Sequence, residues 1–177
     1  MSTPQVQIVA YCGDLGYGPA RGAEMLSLMM GLGVVGRLLA GSVADRLGGL
    51  RTLAILSTLQ AVATFPYILF DELGMLYVMS GIFGLFHGGL IPMYAVIMRE
   101  YFSPHEAGAR VGIVIGATLV GMALGGWMSG AIFDLTGSYR VTFINAVVWN
   151  LFNLIILLWL LSRRRRTRVF GAEAFSG

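Results

Sequence analysis

Lysine is absent from this 177-residue chain, and all twelve basic residues are arginine. Charge of either sign is scarce: 12% of residues carry it, against roughly 25% in an ordinary soluble domain. So few charges cannot give a globule of this size a wetted skin, which argues against a soluble enzyme, a disordered tail and a nucleic-acid-binding module. A lone Cys12 excludes a disulfide framework and a multi-cysteine metal site. There is no GxSxG, HExxH or phosphate loop, and His87 and His105 fall on different elements. Neither an enzyme nor a cofactor is therefore expected. Met1 is followed by Ser, Thr, Pro and Gln with no basic n-region, so no signal peptide is expected either.

What the chain has in quantity is apolar surface. It is 56% hydrophobic, with 25 glycines and a mean hydropathy of +0.77. A membrane span needs about 20 mostly apolar residues, and five stretches qualify: about Ala23–Ala44, Thr52–Phe70, Met75–Met98, Val111–Phe133 and Val141–Leu161. A sixth, Val6–Cys12, covers only about a third of the hydrocarbon core at 1.5 Å per residue. It reads as the stump of a span whose beginning is missing. The expected fold class is an all-α membrane protein of five full helices and a partial one. Residues 1–22 would form the stump and an outer loop, 23–162 the five-helix bundle, and 163–177 a basic tail.

Arginine placement predicts orientation, because cytoplasmic loops keep an excess of basic residues. With the C-terminus cytoplasmic, Arg46, Arg51, Arg99, Arg110 and the five tail arginines lie inside, while only Arg21 and Arg140 lie outside. The tail run, Arg163 to Arg166 plus Arg168, reads as a topology anchor facing anionic headgroups. Without it the rest of the chain is slightly acidic. A multi-pass protein of the cell (inner) membrane is the expected setting.

An offset of 89 residues aligns Gly36, Gly41, Asp45, Gly48 and Arg51 with Gly125, Gly130, Asp134, Gly137 and Arg140. Both copies read G-x-x-x-D-x-x-G at the end of a glycine-rich span, and small residues four apart let helix backbones approach closely. Three spans separate the copies, so they exit on opposite faces of the bilayer. That is the pattern of an inverted repeat, a construction common in secondary carriers. Chance likeness of two Gly/Ala-rich spans is the alternative.

The run Gly41-Ser42-Val43-Ala44-Asp45-Arg46-Leu47-Gly48-Gly49-Leu50-Arg51 resembles the loop signature of the major facilitator superfamily, with its closing basic pair reduced to Arg51. In physical terms, Asp45 can cap the following helix or pair with an arginine, and the glycines permit a tight turn. Tyr11 to Gly18 and Val35-Gly36-Arg37-Leu38 resemble the second half of carriers in the monocarboxylate porter and oxalate/formate antiporter group. The resemblance covers nearly the whole chain. It implies that the stump is the end of helix 7, that the full spans are helices 8 to 12 of a twelve-helix carrier, and that helices 8 and 11 are repeat partners. It also implies a missing partner, either the N-terminal half of the carrier or a second copy.

Arg37 is the sharpest candidate site residue. It lies about eight residues, hence roughly 12 Å, before the loop, and a guanidinium at such depth needs a polar cavity or a counter-ion. Gly33 and Gly41 share its face and would leave room around it. In the resembled group an arginine at this place binds the substrate carboxylate; a snorkelling arginine, or one paired with Asp45, is the structural alternative. His87, between glycines and followed by Pro92, could relay a proton or simply hydrogen-bond a neighbouring helix. Tyr94, two turns on, could line the same cavity. Gly41, Asp45, Arg46, Gly48 and Arg51 form the motif, with a gating role implied by the resemblance. Asp14 and Glu24 belong to the outer mouth. Asn145, Asn150, Asn153 and Gln60 are expected to bond between helices, and His105 to sit in a solvated Ser103–Arg110 loop.

No ionisable residue lies between Arg110 and Asp134. The resembled oxalate antiporters place a lysine on that span to hold a dianion, so a monocarboxylate is the expected cargo, with a proton as candidate coupling ion. The competing reading is a non-transporting membrane fragment or an oligomerising membrane scaffold. Lipid and a small organic anion are the expected partners; nucleic acid is not.

Overall fold

The computed structural model describes residues 3–173, with side chains described as far as residue 163 apart from those of residues 104 and 107. Seven α-helices follow one another, and no strand occurs among the described residues: α1 (Thr3–Asp14), α2 (Pro19–Leu47), α3 (Gly49–Thr64), a 3₁₀ turn (Phe65–Ile68), α4 (Leu73–Gly88), α5 (Leu90–Tyr101), α6 (Pro104–Thr136) and α7 (Tyr139–Glu173). Among the described residues, four segments are long and apolar enough to cross a membrane: Pro19–Leu47, the α4–α5 unit Leu73–Tyr101, Gly108–Thr136 and Tyr139–Arg163.

The fifth expected span, Thr52–Phe70, takes a different form. Its α-helix has 16 residues, about 24 Å at 1.5 Å each. Pro66 cannot donate to the carbonyl four residues earlier, and the chain tightens into the 3₁₀ turn there. The expected Met75–Met98 helix is likewise in two pieces. Pro92 has no N–H for the Gly88 carbonyl, and α4 gives way to α5 at Gly89. Other boundaries grew. The stump is a 12-residue helix, and the expected Ser103–Arg110 loop is helical from Pro104. His105 is thus exposed on the first turn of α6, where Glu106 pairs with Arg110 at 3.0 Å. Helix α7 runs on through Glu173, so its backbone carries part of the expected tail. The side chains of the arginine run beyond Arg163 lie outside the described residues, as do residues 174–177.

Two apolar clusters hold the bundle together. One joins α1, α2, the 3₁₀ turn, α4 and the start of α7 through Ile8, Met25, Tyr67, Phe83 and Phe143. The other, towards the far end of α7, joins α2, α3, α5 and α7 through Ala40, Leu53, Met93 and Leu157. Between α2 and α4 the backbones themselves touch. A Cβ at Gly36 would stand 1.9 Å from the Leu85 carbonyl oxygen, and one at Gly88 2.2 Å from that of Gly33. Helix α6 is the outlier: among the described residues none of its hydrophobic side chains joins either cluster, and Trp127 is 73% exposed.

The two copies of the G-x-x-x-D-x-x-G motif do the same local job. Gly48 ends α2 with φ 83° and Gly137 ends α6 with φ 63°, a region that L side chains rarely enter. Each donates its N–H to the carbonyl four residues back, Ala44 at 2.8 Å and Phe133 at 2.7 Å. Their upstream glycines differ, since Gly36 is pressed against α4 while Gly125 faces open space.

Candidate functional site

Arg37 lies ten residues from the end of α2, about 15 Å along the helix axis, so it is near mid-span. Gly33, Gly36 and Ala40 are buried on the neighbouring face, where Gly33 and Gly36 meet α4, and this leaves Arg37 exposed on the flank of the seam. The room expected from Gly33 is taken by α4, whose Gly84 carbonyl would stand 3.4 Å from a Cβ there; Gly41 alone of the pair faces open space. Among the described residues no carboxylate lies within ion-pair distance of Arg37. The structural pairing with Asp45 is therefore absent.

His87 occupies the last turn of α4. Its Nδ1 is 3.1 Å from Nε2 of Gln60 on α3; with that amide N–H donating, Nδ1 accepts and the ring proton belongs on Nε2. The ring stacks on Phe83 with centroids 5.2 Å apart. His87 and Gln60 thus come together from two helices, with Arg37 exposed on α2 outside that hydrogen bond. Tyr94 does not join them: it is half-buried against the second apolar cluster, and among the described residues it shares no hydrogen bond with Arg37 or His87. Gln60 was legible as an interhelical donor, but nothing in one sequence says which helix it meets. On α7, Asn153 donates to Ser57 Oγ at 3.4 Å, while buried Asn150 Oδ1 has no partner among the described residues.

The signature motif is exposed along Asp45, Arg46 and Arg51. Its expected cap comes from elsewhere. Gly49 N–H, the first amide of α3, donates to Glu100 Oε1 of α5 at 2.7 Å, while Asp45 has no hydrogen bond or ion pair among the described residues. Glu100→Ala is accordingly expected to cost about 1.5–3 kcal/mol, the range for a hydrogen bond to a charged group. Asp45→Ala should stay within about 0.5 kcal/mol, as for an exposed residue without partners. Thermal melts of the two variants in detergent would compare them directly; equal losses would contradict the assignment.

At the opposite end a polar latch ties three elements. Asp71 accepts from Tyr11 Oη at 2.6 Å and from Arg140 at 3.2 Å. Its backbone carbonyl accepts from Tyr17 Oη at 3.2 Å, and Asp14 accepts from Tyr139 Oη at 2.5 Å. Glu24 pairs with Arg21 at 3.0 Å and accepts from Tyr77. The mouth residues Asp14 and Glu24 are therefore engaged within the bundle. Asp71→Ala leaves the Tyr11 hydroxyl without its acceptor and should lower stability by about 1–2 kcal/mol. Loss of Arg140 alone, an exposed partner, should cost under about 1 kcal/mol. Chemical unfolding of each variant in micelles gives the comparison.

Residues 4–176 match the Major Facilitator Superfamily. Monocarboxylate transporter 13 of Rattus norvegicus is 30% identical over 145 residues, covering 81% of this chain and 34% of the relative. The aspyridones efflux protein of Emericella nidulans is 30% identical over 105 residues, 59% of this chain and 22% of the relative. A probable chloroplastic anion transporter of Oryza sativa subsp. japonica is 29% identical over 119 residues, 66% and 22% respectively. The chain thus spans about a third, or less, of the length of the relatives it matches. The match runs through nearly all of its helices, several of which are long and apolar enough to cross a bilayer, and the chain is a multi-pass membrane protein belonging to the Major Facilitator Superfamily.

Proposed function

We propose that this chain forms the C-terminal half of a secondary carrier for small monocarboxylates, with Arg37 clamping the substrate carboxylate. The observation that carries the reading is a mid-span guanidinium, exposed on an unpartnered flank of the α2–α4 seam and without a carboxylate of its own. A charge there costs about 2.5–3.5 kcal/mol by insertion scales, and an anionic substrate in a wet cavity offsets that cost. His87, held by Gln60, is the candidate proton relay; Tyr94 is a more remote wall. Relatives named as monocarboxylate and anion transporters support the same substrate class.

In this reading five rods and a partial one cross the bilayer. Helix α3 and its 3₁₀ turn act as one broken span, the turn adding about 8 Å. The C-terminus lies in the cytoplasm, and residues 23–162 form the bundle that rocks against an N-terminal half. Gly41, Asp45, Arg46, Gly48 and Arg51 act at the gate on the cytoplasmic side. A second reading, a non-transporting membrane piece or scaffold, draws on the open face of α6.

Proteoliposomes separate the readings. Radiolabelled acetate or lactate uptake would be measured with this chain alone, and with the chain co-reconstituted with the N-terminal half of a monocarboxylate carrier. Saturable uptake above empty vesicles is expected when the halves are together. Its absence in both preparations, with both proteins shown to be folded, would favour the scaffold.

A further inference from the structure

Independently of any transport reading, we propose that the groove between the α2–α3 turn and the end of α7 is a docking site for one anionic phospholipid. The groove is a cavity of about 870 Å³ lined by Arg46, Arg51, Glu100, Ile55, Leu158 and Leu161, among others. Pockets that hold small molecules run from about 300 to 1,000 Å³, so a headgroup with its first methylenes fits.

The local fold makes this space. Positive φ at Gly48 lets α3 start one residue after α2 ends, and Glu100 pins the new helix to α5 through the Gly49 N–H. Arg46 from the last turn of α2 and Arg51 from the first turn of α3 therefore face one opening. Neither has a carboxylate partner among the described residues, although Glu100 lines the same groove. Two guanidinium groups present planar donor forks suited to a phosphodiester.

The far wall argues for lipid rather than a soluble anion. Ala54, Ile55, Leu158 and Leu161 are apolar, and the last two belong to a candidate span that ends at Arg163. The groove thus lies at the end of a candidate span and combines arginines with apolar lining. Arg163 stacks over Trp159 at 4.4 Å on the same helix end. A free phosphate would use only the arginines; a phospholipid uses both halves of the site.

Native mass spectrometry of the purified chain in detergent provides the test, with added phosphatidylglycerol, phosphatidylcholine or glycerol 3-phosphate. One phosphatidylglycerol is expected to be retained, with phosphatidylcholine and glycerol phosphate bound at least about tenfold more weakly. The Arg46→Gln/Arg51→Gln pair should lower phosphatidylglycerol retention about tenfold, while Arg99→Gln, at the same end but outside the groove, should not. Ile55→Trp fills the apolar side without touching the arginines and should reduce retention as well, which keeps the test open if the double variant fails to fold. Equal retention of phosphatidylcholine would remove the charge argument. Equal binding of glycerol phosphate would make the site one for soluble anions. Unchanged retention in both groove variants would place the lipid elsewhere. Any of these three results overturns the proposal.

Discussion

Gly36→Leu is expected to prevent the bundle from assembling, with loss of the monodisperse peak on detergent size-exclusion. The first carbon of any side chain at this position would stand 1.9 Å from the Leu85 carbonyl oxygen and 2.8 Å from its carbon. Both are backbone atoms of α4, so no rotamer change relieves the clash. Gly84 and Gly88 meet α2 in the same way, at 2.3 Å from Met29 O and 2.2 Å from Gly33 O. The two helices must therefore separate. Overpacking a core that can yield already costs about 1–3 kcal/mol, and this seam cannot yield. In lipid the loss is more serious still, because van der Waals packing, not exclusion of water, drives helix association there. Gly41→Ala and Gly125→Ala are the controls. Each Cβ enters open space, and alanine is favoured over glycine in a helix by about 1 kcal/mol. Those variants should melt at or slightly above the parent. A folded Gly36→Leu protein with an unchanged melt would show that α2 and α4 do not meet as described.

This contrast also explains how much of the bundle was legible in advance. The apolar runs and the glycine repeat located α2, α6 and α7 because a bilayer imposes length and hydropathy directly on sequence. Gly48 and Gly137 were readable as helix ends for the same local reason: positive φ is a property of one residue. What failed was whatever depends on a distant partner. Asp45 looked like the cap of the next helix, but the amide it would have capped goes to Glu100, 51 residues beyond Gly49. Gly33 was expected to leave room beside Arg37, but its space belongs to α4. Pro66 and Pro92 were visible in the sequence; how far each shortens its helix depends on what the freed carbonyl then meets. The pairing of His87 with Gln60 is likewise set by the meeting of α3 and α4, which no single periodicity encodes. Tyr94, placed with His87 by helical spacing, falls instead into the second cluster because α4 gives way to α5 between them.

Replacing Arg37 separates binding from folding with unusual clarity, because the side chain is exposed and makes no ion pair among the described residues. Arg37→Gln should leave the melt within about 0.5 kcal/mol of the parent. It should nonetheless weaken a carboxylate substrate by about 10- to 100-fold, the loss of a charged, two-pronged hydrogen bond worth about 1.5–3 kcal/mol. Arg37→Lys keeps the charge but exchanges a planar fork for a point donor, so an intermediate loss of about tenfold is expected. The measurement is the KM and maximal rate of monocarboxylate uptake in co-reconstituted vesicles, normalised to folded protein. An effect on KM that grows from Lys to Gln assigns the guanidinium to the substrate. A fall in maximal rate alone, equal for both variants, would assign it to the moving parts of the carrier. Uptake unchanged in both would leave Arg37 a snorkelling residue with no part in substrate binding.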